Sequence, residues 1–211
     1  KVRDNYHTIL IAKNYAGVLE LNKLVSISTT DSHTYYKPRI SFDEFLGTSK
    51  NIIKISACLA SPLNKLPFSH KRYMELARHY DYFEIQPHDF QEQKDFNLHL
   101  AQLSRELGKP LIAGTDTHSI DKYKAECRSI LLAAKHIEYS DEDSFDLTYK
   151  SYDELVEMFR KQNALPESLY LEAIENTNRM ADSIESFDLD LSFKYPKLYG
   201  SRDKEVFVER I

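Results

Sequence analysis

At 211 residues the chain is long enough for one full-sized domain with a real core, or for one domain and the start of another; two compact domains would be a stretch. A composition 42% hydrophobic and 29% charged, with 14 Tyr and 11 Phe, excludes a disordered chain, and no window approaches the roughly 18 apolar residues of a membrane span. A net charge of −5 argues against tight, unaided DNA binding, and two distant cysteines, Cys58 and Cys127, argue against a disulfide framework.

No secretory leader pattern is visible, so a cytoplasmic location without membrane contact is expected. The chain opens on "KVRDNYHTIL" and closes on "EVFVERI", which reads as the first turns of a further helix. Both ends are therefore expected to be cuts through a longer protein.

Four short apolar runs follow one another: "TILIA" (8–12), "IIKIS" (52–56), "YFEIQ" (82–86) and "PLIAG" (110–114). Their length and β-branched content predict buried strands. A segment of helical spacing follows each. The first carries Val18, Leu21 and Val25 on one stripe, the second Tyr73, Leu76, Ala77 and Tyr80, and the third Phe96, Leu100, Leu103 and Leu107. After the fourth, Asp121 is placed to cap a helix carrying Ile130, Leu131 and Ala134. Strands alternating with amphipathic helices predict an α/β fold with parallel neighbours, either a barrel or an open sheet. Beyond about residue 140 the pattern changes to a polar loop, "SDEDSF", and then two helices, about 151–163 and 167–184. Ser151 and Glu154 form a capping box at the first of them. The stretch "FDLDLSFKYPKLYGSRDK" reads as an irregular connector.

In parallel α/β folds, sites are built at the carboxyl ends of strands. Here the second run leads into Ser56 and Cys58, the third into Gln86 and His88, and the fourth into Asp116 and His118. In an extended segment residues i and i+2 point to the same side, so Asp116 and His118 can converge on one ion. Carboxylate with imidazole is a pair suited to Zn, Mn or Fe, and Gly114 lets the backbone come close to a bound group. The plainer alternative has Asp116 capping the next turn and His118 on a surface loop. Cys58 is as readily a packed core residue, and His88, after a proline, is as readily solvated. His7 precedes its run and so lies at the wrong end for a shared site if that run is a parallel strand. Lys13, Asn14, Lys37 and Arg39 could meet phosphate, although isolated cations ordinarily just face solvent. No glycine-rich phosphate loop, Ser-His-Asp arrangement or Cys-x-x-Cys pair is present.

The ordered set "YHTILIAKNYAGVLELNKLVS", "YYKPRI", "IIKISACLAS", "YFEIQPHDFQEQKDFN", "LAQLSRELGKPLIAGTDTHSID" and "YKSYDELVEMF" resembles the polymerase and histidinol phosphatase (PHP) domain at the front of bacterial DNA polymerase III alpha subunits. The resemblance runs from about residue 6 to about 184, and the tail "FDLDLSFKYPKLYG" is similar to the stretch leading toward the polymerase body. It implies a PHP-type distorted (β/α)7 barrel with up to three metal ions at one face. Four ligands of that family's cluster fall on His7, Cys58, Asp116 and His118, with His88 as a possible substrate or supporting residue. Residues 1–6 offer no His-x-His segment and no further early ligands, so the early strands are expected to be absent and the metal site incomplete.

Three organisational segments follow from the resemblance: 1–140 as a partial PHP barrel, 141–185 as its helical end, and 186–211 as a connector. The implied function is that of a segment of a DNA-directed DNA polymerase, in a module of metal-dependent phosphoesterase or 3′–5′ exonuclease type. DNA and replicase subunits are its implied partners, through the full-length protein, and no small-molecule cofactor is implied. The alternative is a metal-poor, inactive scaffold that supports the polymerase and binds a proofreading subunit. A free-standing phosphatase of small phosphate esters fits the fold but leaves "KSYDELVEMF" unexplained.

Overall fold

The computed structural model describes residues 5–34, 36–137, 145–193 and 197–211. In chain order it forms β1 (Ile9–Ala12), α1 (Tyr15–Ser28), α2 (Phe42–Leu46), β2 (Ile52–Ile55), α3 (Pro62–Lys65), α4 (Tyr73–His79), β3 (Phe83–Ile85), α5 (Gln91–Leu107), β4 (Leu111–Ala113), α6 (Lys122–Ala134), α7 (Tyr152–Gln162), α8 (Glu167–Asp182) and α9 (Asp203–Glu209). The fold is a mixed α/β one, dominated by helix around a few short strands.

Strands β3 and β4 pair in parallel, Phe83 opposite Leu111 and Ile85 opposite Ala113. A parallel bridge between Ile55 and Tyr82 links β2 to the same run. The expectation of parallel neighbours throughout fails at β1, which pairs antiparallel with β2, Ile9 opposite Ile55 and Ala12 opposite Ile52. The cause lies in the connection. Chain leaves β1 through α1 and comes back through α2, a round trip that ends where it began: the Lys13 amide donates to the Asn51 carbonyl at 2.8 Å. A single crossover helix would have returned the chain at the other end. Gly17 makes the trip tight, since a Cβ there would lie 2.3 Å from the Asn51 carbonyl oxygen. Among the described residues the strands form a short open run and not a closed cylinder.

The main core is built where the sequence places it. Tyr73, Leu76, Ala77 and Tyr80 of the α4 segment, Phe96, Leu100 and Leu103 of α5, and Phe83, Ile85 and Leu111 of the strands are all buried together. Phe159 of α7 and Tyr170, Ala173 and Ile174 of α8 close it, with Phe159 stacked on Tyr170 at 5.3 Å. Ile53, Ile55, Ile112 and Met180 form a second, smaller cluster. Helix ends follow local chemistry: Asp121 accepts from the Lys124 amide, and the Ser151–Glu154 capping box is complete. Gly108 ends α5 at φ 64°, the left-handed cap that glycine adopts without penalty.

Helix α6 departs from expectation. Its stripe is not a core face, because Ile130 is 65% and Leu131 52% exposed. Helical spacing marks a stripe but does not supply a surface to cover it. Val25 of α1 is likewise exposed. The chain leaves the strand layer at Ser119 and returns at Thr148, which form a parallel bridge. There the Leu147 carbonyl accepts from the amides of His118 (2.8 Å) and Ser119 (3.2 Å). The expected polar loop 140–145 lies almost wholly outside the described residues, as does part of the connector.

Candidate functional site

Because β1 runs against β2, the residue that precedes β1 and the residues that follow β2 meet. The His7 amide donates to the Ala60 carbonyl at 2.9 Å, and Cys58 Sγ lies 3.6 Å from His7 Nδ1. The geometric objection to His7 thereby disappears: it held only for a parallel strand. Cys58 is half-buried and His7 exposed, so the thiol is not a fully packed core residue.

At the end of β4, His118 Nε2 lies 3.6 Å from Asp116 Oδ1 and both side chains are open to solvent. Two non-glycine residues near these strand ends, Ala57 (φ 63°) and Asp116 (φ 50°), adopt the left-handed backbone conformation. Such a residue costs on the order of 1 kcal/mol or more and recurs where a side chain must be aimed. Asp121, not Asp116, caps the next helix.

His88 is not solvated. It is only 5% exposed, its ring stacks on Phe145 at 5.2 Å, and among the described residues its buried Nε2 has no hydrogen-bond partner. Its backbone is pinned from α7, where Gln162 Nε2 donates to the carbonyls of His88 (2.7 Å) and Gln86 (2.8 Å).

A residue that sequence reasoning passed over lies between these groups. Glu84, at the centre of β3, is 6% exposed and accepts from Gln86 Nε2 at 2.7 Å. The available signal was the acid and amide alternating inside the apolar "YFEIQ" run.

Electrostatics ties the groups together. Burial pushes the Cys58 thiol up; the Ala60 backbone hydrogen bond pulls back, while Asp116 and Glu84 push further up. Burial also pushes the Glu84 carboxyl up, opposed by the Gln86 hydrogen bond and reinforced by Asp116. The His88 imidazole is pushed down by burial, with Asp116 opposing. Asp116 is thus close enough to be felt by a thiol after β2 and by a carboxyl and an imidazole in and just after β3.

The donor set of thiol, carboxylate and imidazole suits a borderline divalent ion, and the orphaned His88 nitrogen is the kind of atom that such a centre would satisfy. Yet the close contacts are pairwise: among the described residues no three His, Cys, Asp or Glu side chains are gathered tightly enough to hold one ion.

Residues 1–88 match the family model of the PHP domain. Over most of its length the chain also resembles replicative polymerase subunits. It is 32% identical over 200 residues to DNA polymerase III subunit alpha of Borreliella burgdorferi, covering 88% of this chain and 17% of that protein. It is 30% identical over 218 residues to the PolC-type DNA polymerase III of Clostridium perfringens, covering 94% of this chain and 15% of that protein. Against the alpha subunit of Aquifex aeolicus it is 25% identical over 217 residues, covering 95% of this chain and 18% of the relative. Residues 1–88 carry a PHP domain. The homologues that cover most of the chain are DNA polymerase III alpha and PolC-type subunits, and the chain spans less than a fifth of the length of each of these three.

Proposed function

We propose that the chain is the PHP portion of a DNA polymerase III alpha-type replicase, carrying a divalent-metal site of phosphoesterase type at the strand ends. His7, Cys58, Asp116 and His118 would hold Zn, Mn or Fe, and when bound the metal would polarise a phosphoryl group and supply hydroxide near neutral pH. His88, buried beside Asp116 with a free ring nitrogen, supports the site or meets substrate. The observation that carries the reading is the meeting of His7 and Cys58 through an antiparallel β1.

In this reading residues 1–140 are a partial, open barrel, 141–185 its helical end and 186–211 a connector, and DNA and replicase subunits are partners of the whole replicase. Nucleotidyl transfer lies elsewhere in such a protein. DNA replication implies a cytoplasmic setting; no described helix is long and apolar enough to cross a membrane.

A second reading, a scaffold with little or no catalysis, is favoured by the pairwise spacing of the donors. Elemental analysis of the purified chain separates the two when repeated on Asp116→Ala and His118→Ala. The expected result is at most about one ion per chain, lost on either substitution, because affinity falls steeply when a ligand is removed. Metal content unchanged by both would remove these residues from the site. Mn-dependent cleavage of single-stranded DNA that Asp116→Ala abolishes would favour the phosphoesterase; bound metal without cleavage would favour the scaffold.

A further inference from the structure

Among the described residues Glu84 is the one strongly buried carboxyl near the site that the proposed ligand set does not use, and its surroundings are built with care. Strand β3 sends Phe83 and Ile85 into the main core, so Glu84, in register with Ile112, faces the other way. Its backbone N–H donates to Ser56 Oγ at 2.9 Å, two residues before Cys58. Its carboxylate fills the space beside Gly114, two residues before Asp116: a Cβ there would lie 2.3 Å from Glu84 Oε1. Gln86 fixes the same oxygen at 2.7 Å. The carboxyl is therefore held between the strand ends that carry Cys58 and Asp116.

Among the described residues nothing positive balances it: its side-chain partner is the neutral amide of Gln86, and no Lys, Arg or His pairs with it. A buried carboxyl without a counter-charge is costly to keep ionised, and a strand that needed only filling would carry an apolar side chain there. With Cys58 and Asp116 nearby, the missing element is positive charge.

We propose that Glu84 is a positioning residue for the metal site: its fixed carboxylate beneath Cys58 and Asp116 supplies negative potential that raises affinity for a divalent cation, without ligating it. This rests on the metal-binding reading above. Burial and Asp116 both push the Glu84 carboxyl up, toward its neutral form, so a bound cation would have to draw it into the ionised one.

The test is the binding of Mn2+ alone to the full chain, followed by calorimetry and by the Mn2+ electron paramagnetic resonance signal, with thermal unfolding of the metal-free protein alongside. Glu84→Gln keeps shape and the acceptor for Gln86 but removes the charge. It is expected to weaken Mn2+ binding at least tenfold while leaving the metal-free Tm unchanged or higher, whereas a merely structural Glu84 would lower that Tm and leave affinity alone. Should Glu84→Gln not fold, Glu84→Asp and Glu84→Asn make the same comparison, the charged variant binding at least tenfold tighter. If Asp116→Ala loses the ion and Glu84→Gln binds as wild type does, this inference alone is overturned. A wild-type chain that binds no Mn2+ overturns the metal reading and this inference with it.

Discussion

Cys58 Sγ and His7 Nδ1 lie 3.6 Å apart although 51 residues separate them, because β1 enters the sheet antiparallel to β2. The pair gives the metal reading a chemical test that needs no catalysis. Cys58 is half-buried and its thiol is pushed up by burial, whereas Cys127 is exposed. Iodoacetamide at mildly alkaline pH is expected to modify Cys127 first. Added Zn2+ should slow modification of Cys58 alone, and His7→Ala should weaken that protection. Equal protection of both cysteines, read by peptide mass spectrometry, would contradict a site at Cys58.

Gly114 is predicted to tolerate no side chain. A methyl group there would meet Glu84 Oε1 at 2.3 Å and Cδ at 2.5 Å, and the carboxyl is held by Gln86. Gly114→Ala is expected to cost about 1–3 kcal/mol in urea unfolding. The same substitution in a Glu84→Ala background should cost clearly less, since the clash is with the side chain that has been removed. Additive losses would place the strain elsewhere.

Acid sensitivity is expected at the segment that returns after α6. Burial pushes Asp146 up, but this is outweighed by hydrogen bonds from Thr148 and Lys150 and by the Lys150 charge, so that it settles down at about 2 from an ordinary 3.8. A depressed carboxyl contributes stability above its unfolded value and loses it as pH falls toward its folded one. The Tm advantage of the wild type over Asp146→Asn should therefore hold from neutral pH to about pH 5, then close between about pH 4 and about pH 2. An advantage that grows on acidification would reverse the assignment. The carboxylate is 51% exposed, so the effect should be modest and should shrink in salt.

Gln162 is predicted to hold the β3 end in place. Its amide reaches the carbonyls of Gln86 and His88, and its oxygen accepts from buried Asn97 at 2.9 Å. Gln162→Leu would leave one Asn97 N–H without its acceptor and take one of two donors from each carbonyl, since Asn97 still reaches Gln86 and the Phe90 amide still reaches His88, at an expected cost of about 1–3 kcal/mol by urea unfolding, and should loosen His88. Near-wild-type stability would mean that the network is dispensable.

Much of the helical core was legible in the sequence. The stripes Tyr73–Leu76–Ala77–Tyr80 and Phe96–Leu100–Leu103 and the caps Asp121 and Ser151 stand where local chemistry puts them. Strand direction was not legible, because period-two alternation is the same in parallel and antiparallel pairs; only the path of α1 and α2 decides it. That one ambiguity made His7 look misplaced. The exposed Ile130 and Leu131 show the converse limit, a correct helix whose apolar stripe has no surface over it within the described residues. Glu84 was missed because the "YFEIQ" run reads only as a buried strand leading to Gln86 and His88, which leaves unasked what a charge inside it would face.

The clasp between Ser119 and Thr148 makes everything the chain does between those two positions a detour that departs and rejoins at one point. The backbone that aims His118 is anchored to Leu147 rather than to helix α6. Lengthening, shortening or replacing the α6 excursion is thus a change in a closed loop, whose entropy grows only slowly with length. Evolution or an engineer can remodel that appendage freely while the Asp116–His118 end of β4 keeps its footing.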